Sequence, residues 1–392
     1  QAASLTVDPD ETALEAVRNR MGLTGSKLGC GHGSCGACAM QVDGTPVATC
    51  ILPATSLHRR KVTTIEGIAA GGNLHPVQRA FMAEDALQCG YCTPGFVTES
   101  VAFYESWRKQ NGSKAPSRDD VAAALAGHLC RCGAYDGIYK AVIGACAGRF
   151  ESQSGPGPRH DGKAKVTGAA TYTVDVQPEG MLHAKALHAP VAHATITRLD
   201  WSAALKIPGV RAAVALLDEG KTIRFAGQEI VALAAVDEET AREAVRAVVF
   251  EYEERTPAIA LQDAIDGNAL VWTARRDKKK PPNSSEGPVV GAPWEGNVRG
   301  PFKLFSKSPA KANKGIQSAR GESQLVSQRY ETAVQCHTAL EPHAAVARWT
   351  GDDRLELWVS TQSCTELAHD VAQHYRLSHE HVRVRCAYIG GG

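Results

Sequence analysis

Gly29-Cys30-Gly31-His32-Gly33-Ser34-Cys35-Gly36-Ala37-Cys38, closed downstream by Cys50, is the stretch on which the reading of this chain turns. Its cysteines follow C-x4-C-x2-C with a distant fourth, the plant-type ferredoxin spacing for a 2Fe–2S cluster. The glycines supply the physical reason. A loop wrapped around an inorganic cluster must turn several backbone N–H groups toward sulfide. Gly29, Gly31, Gly33 and Gly36 allow the positive φ and close approach that this requires. The alternatives are a zinc ribbon, which usually brings paired knuckles where this stretch has one, or a set of buried thiols. Upstream, Asp10 is expected to cap a helix with Leu14, Val17 and Met21 on one face and Gly22 at its end. Downstream, Ala39 to Gly44 reads as a strand entering an Asp-Gly turn.

A second set of cysteines follows. Gln88-Cys89-Gly90-Tyr91-Cys92-Thr93-Pro94-Gly95 places C-x2-C at the head of a helix, with Thr93 as expected N-cap and Phe96, Val97, Val101 and Tyr104 as its apolar stripe. Another helix is expected from Ser117, with Asp120 completing a capping box. It carries Val121, Leu125 and Leu129 toward Cys130-Arg131-Cys132. A third begins at Asp136 and buries Tyr139, Val142 and Cys146, the last as packing. Two Cys pairs at helix ends can hold a four-thiolate site in a small bundle, and by spacing alone zinc competes with iron there.

Composition narrows the field. At 392 residues the chain has room for two or three domains, and 43 basic against 42 acidic residues leave a net charge of +1. No global field calls for nucleic acid or an anionic membrane. With 43% hydrophobic and 22% charged residues, wholesale disorder is excluded, and no apolar run is long enough for a spanning helix. Nine of the 12 cysteines lie in the first 150 residues, a crowding that suits metal binding better than a disulfide framework. The chain opens at Gln1 without Met and stops at Gly390-Gly391-Gly392, so it is expected to be part of something longer.

Taken together, Cys-Gly-x-Gly-x-Cys-Gly-x-Cys, Gln-Cys-Gly-Tyr-Cys-Thr-Pro-Gly and Leu-Cys-Arg-Cys resemble the xanthine dehydrogenase/aldehyde oxidoreductase family, the molybdenum hydroxylases. The resemblance makes the second site iron–sulfur rather than zinc. His128 stands where the family often has Asn, and Gly133-Ala134 where it has Thr-Gly. It extends onward through Asp161 to Gly168, Leu182 to Ala186 and Ile207 to Val210, which resemble the entry to the molybdenum part and its α/β-hammerhead. Gln335-Cys336-His337-Thr338-Ala339-Leu340-Glu341, Ser360-Thr361-Gln362 and Tyr388-Ile389-Gly390-Gly391-Gly392 resemble its approach to molybdenum.

The resemblance implies an α+β multidomain fold. A β-grasp 2Fe–2S ferredoxin domain (1–68) and a helical 2Fe–2S domain (69–150) are followed by a linker (151–160). An α/β-hammerhead domain (161–270), an irregular connector (271–328) and the start of a molybdopterin-binding domain (329–392) complete it. Within the hammerhead, Ile230 to Leu233 reads as a strand and Glu238 to Phe250 as a helix, and His183, His188 and His193 are read as packed or surface residues. Cys336, Cys364 and Cys386 are expected as buried thiols. The basic run Arg275 to Pro282 reads as a solvated connector or a docking edge for an acidic electron-transfer partner, and two Asn-x-Ser triplets, at Asn111 and Asn283, as chance matches.

The implied activity is oxidation of an aldehyde to a carboxylic acid with water-derived oxygen; a xanthine or N-heterocycle dehydrogenase, or an electron-transfer subunit of such a complex, is the alternative. Cys30, Cys35, Cys38 and Cys50 would hold one cluster, and Cys89, Cys92, Cys130 and Cys132 the other. Gln335 would act beside molybdenum, with the catalytic glutamate beyond Gly392. Gln88, Cys132, Gln335, Gln362, Gly390, Gly391 and Gly392 would contact molybdopterin in its cytosine dinucleotide form. No flavin domain separates the parts, an order like that of the flavin-free aldehyde oxidoreductases or of an assembly that keeps FAD on a separate subunit. The implied partners are a chain or segment completing the molybdenum domain, an external acceptor (flavin subunit, flavodoxin or cytochrome), a small-molecule substrate and further copies in an oligomer; nucleic acid is not among them. Thiolate clusters point to the cytoplasm, with export of the folded protein to the periplasm as the alternative.

Overall fold

The computed structural model describes residues 3–152, 159–267, 294–295, 298–299, 309–319, 326 and 328–391. Two compact units divide it: residues 1–176 with 334–392, and residues 177–333.

The first unit opens with a helix capped by Thr12 rather than Asp10. Thr12 and Glu15 form a capping box, with Glu15 N donating to Thr12 Oγ1 at 3.2 Å and Thr12 N to Glu15 Oε2 at 3.0 Å. This reciprocal pair satisfies two end groups at once, which a lone aspartate two residues earlier does not. Helix α1 (Ala13–Glu15) runs into a π-helical turn over Ala16–Arg20, burying Leu14 and Val17 against Cys38, Met40 and Cys50. Strand β1 (Ala39–Val42) turns through Asp43 (φ 51°) and Gly44 (φ 84°) into β2 (Thr45–Ala48), the two positive φ angles of a tight hairpin. Strand β3 (Val62–Thr63) pairs with the other edge of β1, giving the antiparallel order β2-β1-β3.

Five helices follow: α2 (Ile65–Ile68), α3 (Pro76–Ala83), α4 (Thr93–Asn111), α5 (Arg118–Ala124) and α6 (Tyr135–Cys146). Cys92, not Thr93, occupies the N-cap of α4, so a cysteine of the second set sits at the helix mouth and Pro94 lies in the first turn, where its missing N–H costs nothing. Ser117 caps α5 with Asp120 as the spacing predicts. The bundle buries Phe81, Phe96, Val97, Val121, Leu125, Ile138 and Cys146 in one core. Leu129 falls outside that stripe and is 50% exposed, because α5 ends at Ala124 and the helical period stops with it. Helix α7 (Gly162–Val166) and the residues up to Val176 pack within this unit. The reason is chemical: Lys165, Tyr172 and Asp175 all find their partners on the cysteine-bearing part.

The second unit holds β4 (His183–His188), β5 (Ala194–Asp200), β6 (Val210–Ala215), β7 (Thr222–Ile223), β8 (Glu229–Ala235), α8 (Glu238–Arg246), β9 (Val249–Glu254) and α9 (Leu261–Asp266). They form two antiparallel sheets, β4-β8-β6 and β7-β5-β9. Helix α8 stops at Arg246 instead of reaching Phe250, because Val249 and Phe250 pair with β5; side chains stiff at χ1 or aromatic suit a strand better. His193 is buried with Nδ1 2.8 Å from the Thr256 carbonyl, His183 is half-buried and His188 exposed. Of the connector, β10 (Trp294–Glu295), β11 (Val298–Arg299) and the helix α10 (Pro309–Ser318) are described, so it is not irregular throughout. The runs Arg275 to Pro282 and Asn283 to Ser285, and linker residues 153–158, lie outside the described residues.

The chain then rejoins the first unit through β12 (Ala345–Trp349), β13 (Leu355–Val359), α11 (Cys364–Tyr375) and β14 (Val382–Arg385). β13 pairs antiparallel with β12 and parallel with β14, with α11 as the crossover a parallel pair needs.

Candidate metal and cofactor site

The first cysteine loop is shaped as its glycines predict. Gly31, Gly33 and Gly36 have φ of 71°, 81° and 70°, while a Cβ on Gly29 would lie 2.9 Å from Cys35 Sγ. The turns aim backbone donors at sulfur: Ser34 N donates to Cys30 Sγ at 3.2 Å and Cys30 N to Cys35 Sγ at 3.3 Å. Burial alone would push the Cys30 thiol up, but the N–H groups of His32 and Ser34 bring it down to about 6. Cys50, by contrast, is pushed up to about 12 by burial and by Cys38 beside it.

The second set converges from the turn before α4 and the loop before α6. Cys130 and Cys92 share a hydrogen bond that lowers Cys130 to about 6 and raises Cys92 well above the thiol range, with burial adding to the rise. Burial and the neighbouring Cys132 push Cys89 up to about 12. The eight thiols therefore pair two by two: Cys30 with Cys35, Cys38 with Cys50, Cys89 with Cys132, and Cys92 with Cys130. Among the described residues no three such ligands close on a single ion position. Two pairs per set is what a two-iron cluster takes, with two thiolates on each iron. Like-charged thiolates crowded together in part-buried loops are also what bound iron would neutralise. The residues present fit two 2Fe–2S groups.

Beside the second set opens a cleft of about 780 Å³. Gln88, Cys89, Cys132, Gln362, Tyr388 and Gly391 line it. Arg159 and Lys165 also line it, giving polar and cationic donors suited to a pterin with phosphate. A smaller cavity of about 270 Å³ abuts it through Gln362 and Ile389 and reaches Glu341, Ser360 and Gly390. Gln88, Cys132, Gln362, Gly390 and Gly391 are thus brought together. Gln335 is not: it is exposed and lines neither cavity, so the role implied for it gains no support from the geometry. Gly392 lies outside the described residues.

Four residues with no role in the sequence reading bolt the cleft to the cysteine loops. Tyr172 donates its hydroxyl to the Cys89 carbonyl at 2.7 Å, and Lys165 Nζ donates to the Gln88 carbonyl at 2.7 Å. Arg131, between two ligand cysteines, donates to the His337 carbonyl at 2.6 Å, and the His337 ring contacts the Gly391 carbonyl. Glu341, 3% exposed, accepts from Gly390 N at 2.6 Å and from Thr173 N and Ser360 Oγ at 3.2 Å each. Gly390 itself must be glycine, since a Cβ there would stand 2.3 Å from Glu341 Cβ and 2.8 Å from the Tyr91 ring. Glu341 sits inside a quoted motif, but its partners are distant in sequence and nothing local announces them. The remaining cysteines depart from expectation: Cys336 is exposed, and Cys364 and Cys386 are half-buried.

The cleft wall carries a pH signature. Burial pushes Asp161 up, but Lys165 and Arg159 more than offset it and leave the carboxyl at about 2. Because this folded value lies below the ordinary one of about 3.9, the contribution is complete above that value and is lost as the pH falls through about 2. The gap in urea midpoint between wild type and Asp161→Asn should be widest above about pH 5 and close toward pH 2. A gap independent of pH would show that the carboxylate charge does not hold the wall.

Comparison with known proteins agrees with this geometry. Residues 1–61 match a 2Fe-2S iron-sulfur cluster binding domain and 64–143 a [2Fe-2S] binding domain. Residues 167–220 match the aldehyde oxidase and xanthine dehydrogenase a/b hammerhead domain, and 305–392 a molybdopterin cofactor-binding domain. The aldehyde oxidoreductase of Megalodesulfovibrio gigas is 34% identical over 251 residues, covering 57% of this chain and 26% of that protein. The aldehyde oxidoreductase iron-sulfur-binding subunit PaoA of Escherichia coli O157:H7 is 40% identical over 157 residues, 38% of this chain and 68% of that subunit. The solved aldehyde oxidoreductase of Desulfovibrio gigas superposes with a TM-score of 0.78 at 25% identity, over 97% of this chain and 44% of that one. The chain therefore spans less than half the length of these two whole enzymes. Four domain matches in this order, over loops whose thiols pair two by two beside a polar cleft, make the chain a member of the xanthine dehydrogenase/aldehyde oxidoreductase family of molybdenum hydroxylases.

Proposed function

We propose that this chain carries the two iron–sulfur clusters and the opening part of the molybdenum site of a hydroxylase that oxidises an aldehyde to a carboxylic acid with oxygen from water. One observation supports the reading above all: Cys89 and Cys132 of the second thiol set form a wall of the cleft that Gln362, Tyr388 and Gly391 complete. Molybdopterin, as the cytosine dinucleotide, would supply the two-electron oxidation chemistry, and the clusters the one-electron carriage. Within the chain, Tyr172 and Lys165 hold the Gln88-Cys89 backbone in place, while Arg131 and Glu341 fix the segment that faces it. Electrons would leave by the second set, then the first, whose Cys30 loop reaches the surface. An external acceptor with flavin on another subunit, a flavodoxin or a cytochrome would take them. Eight thiolate ligands suit assembly in a reducing cytoplasm. Among the described residues no helix is long and apolar enough to cross a membrane.

A second reading, an electron-transfer subunit docked on a catalytic partner, draws on the iron-sulfur-binding subunit named among the relatives. The deciding measurement is metal content and turnover of the full-length protein with its partners. Roughly four iron and one molybdenum per chain, with aldehydes oxidised by an artificial acceptor, is the expected result. Turnover of N-heterocycles in place of aldehydes would move the substrate to the alternative. Iron without molybdenum would favour the electron-transfer reading, and zinc in place of iron would remove both.

A further inference from the structure

His128 lies at the seam between the two cysteine loops. It is 7% exposed, its ring stands 5.1 Å from that of Phe96, and it precedes Leu129, whose N–H donates to the Cys35 carbonyl at 3.0 Å. The ring lies flat on Gly36, between Cys35 and Cys38: a Cβ on Gly36 would come within 2.3 Å of Cδ2 and 2.7 Å of Nε2. Both ring nitrogens are buried and without a hydrogen-bond partner among the described residues. The Gly95 backbone comes near the ring without reaching hydrogen-bonding geometry. Any protonation state of imidazole leaves at least one N–H, and an unmet buried donor costs about 1–3 kcal/mol. Such a side chain at this place calls for an acceptor that the polypeptide does not provide. Sulfur of an iron–sulfur group is an acceptor of the right chemistry, and Nε2 is the ring nitrogen among the three His128 atoms nearest a Cβ on Gly36 of the first loop.

We propose that His128 Nε2–H donates a hydrogen bond to a sulfur of the iron–sulfur group held by Cys30, Cys35, Cys38 and Cys50, and thereby tunes that group's reduction potential. His128 is a positioning and tuning residue and touches no substrate. A donor aimed at cluster sulfur stabilises the added electron, so the bond favours the reduced form. The inference rests on the two-cluster reading but not on the substrate.

The test is an EPR-monitored redox titration of the holoenzyme as wild type, H128F and H128Q, with iron counted in each and histidine labelled with 15N. In H128F, which keeps a ring of similar size and loses the donor, the reduced-to-oxidised ratio of the first cluster at fixed potential should fall about tenfold, equivalent to about 59 mV for one electron. The second cluster should not move. H128Q, which keeps an N–H, should stay within about threefold of wild type and lose a 15N coupling from the first cluster's signal. An unshifted first cluster in iron-loaded H128F overturns the proposal, as does a shift confined to the second cluster. Retention of every 15N coupling in H128Q overturns it even if H128F fails to hold iron. Wild type without iron would instead overturn the cluster assignment beneath it.

Discussion

Asp175→Ala is expected to destabilise the first unit by about 3–5 kcal/mol and to lower its melting temperature by roughly 10 °C. Asp175 is fully buried between two cations, with Arg18 at 2.8 Å and Lys27 at 2.5 Å; Lys27 is itself 1% exposed at the side chain and Arg18 8%. Removing the carboxylate strands both charges in a place water does not reach. The carbonyls of Thr24 and Ser26 on Arg18 and of Ala170 on Lys27 satisfy their donors but not their charge. Burial already pulls Lys27 below the ordinary lysine range against the pull of Asp175, so losing Asp175 should lower it further. Asp175 also accepts from Tyr172 N at 2.8 Å, next to the hydroxyl's tie to Cys89, so the second cluster should become labile as well. Calorimetry and iron retention at 37 °C check this together. A melting point within about 2 °C of wild type would mean that the triad is not what anchors residues 170–176.

Glu341→Ala should empty the molybdenum site while leaving both clusters in place. The glutamate satisfies the N–H groups of Gly390 and Thr173 and the Ser360 hydroxyl, and its own N–H donates to the Gly390 carbonyl at 3.1 Å. Truncation leaves two buried backbone donors unmet, at about 1–3 kcal/mol each. That cost falls on the loop at residues 390–391, which borders both cavities, and not on the cysteine loops. Molybdenum per chain should fall at least tenfold, which needs only about 1.4 kcal/mol, with iron unchanged. Glu341→Gln keeps the volume but turns one acceptor into a donor facing donors, so it should lie between the two. Full molybdenum in Glu341→Ala would show that the cleft is held by contacts other than this carboxylate.

Much of the clusters' chemistry was legible from residues alone. The spacing of Cys30, Cys35, Cys38 and Cys50, the glycines that take positive φ among them, the Asp43-Gly44 hairpin and the Ser117 cap are codes acting over a few residues, and the chain obeys them. Local codes also misled by a residue or two. Cys92 took the cap position from Thr93 without any side-chain cap bond, and Thr12 took it from Asp10 because its capping box with Glu15 satisfies two end groups at once.

What spacing and periodicity alone determined is therefore the thiolate ligands, the two-iron spacing of the first set and the local turns, while the choice of iron over zinc at the second set came from the family resemblance. Only the tertiary structure decided that residues 161–176 pack with the cysteine-bearing unit, that Glu341 and Arg131 anchor the cleft, and that Gln335 stands outside it. Turn geometry, caps and ligand spacing are satisfied by neighbours along the chain. The pairing of Arg18 with Asp175 or of Arg131 with the His337 carbonyl joins positions 157 and 206 residues apart, and such contacts exist only once burial has brought those segments together.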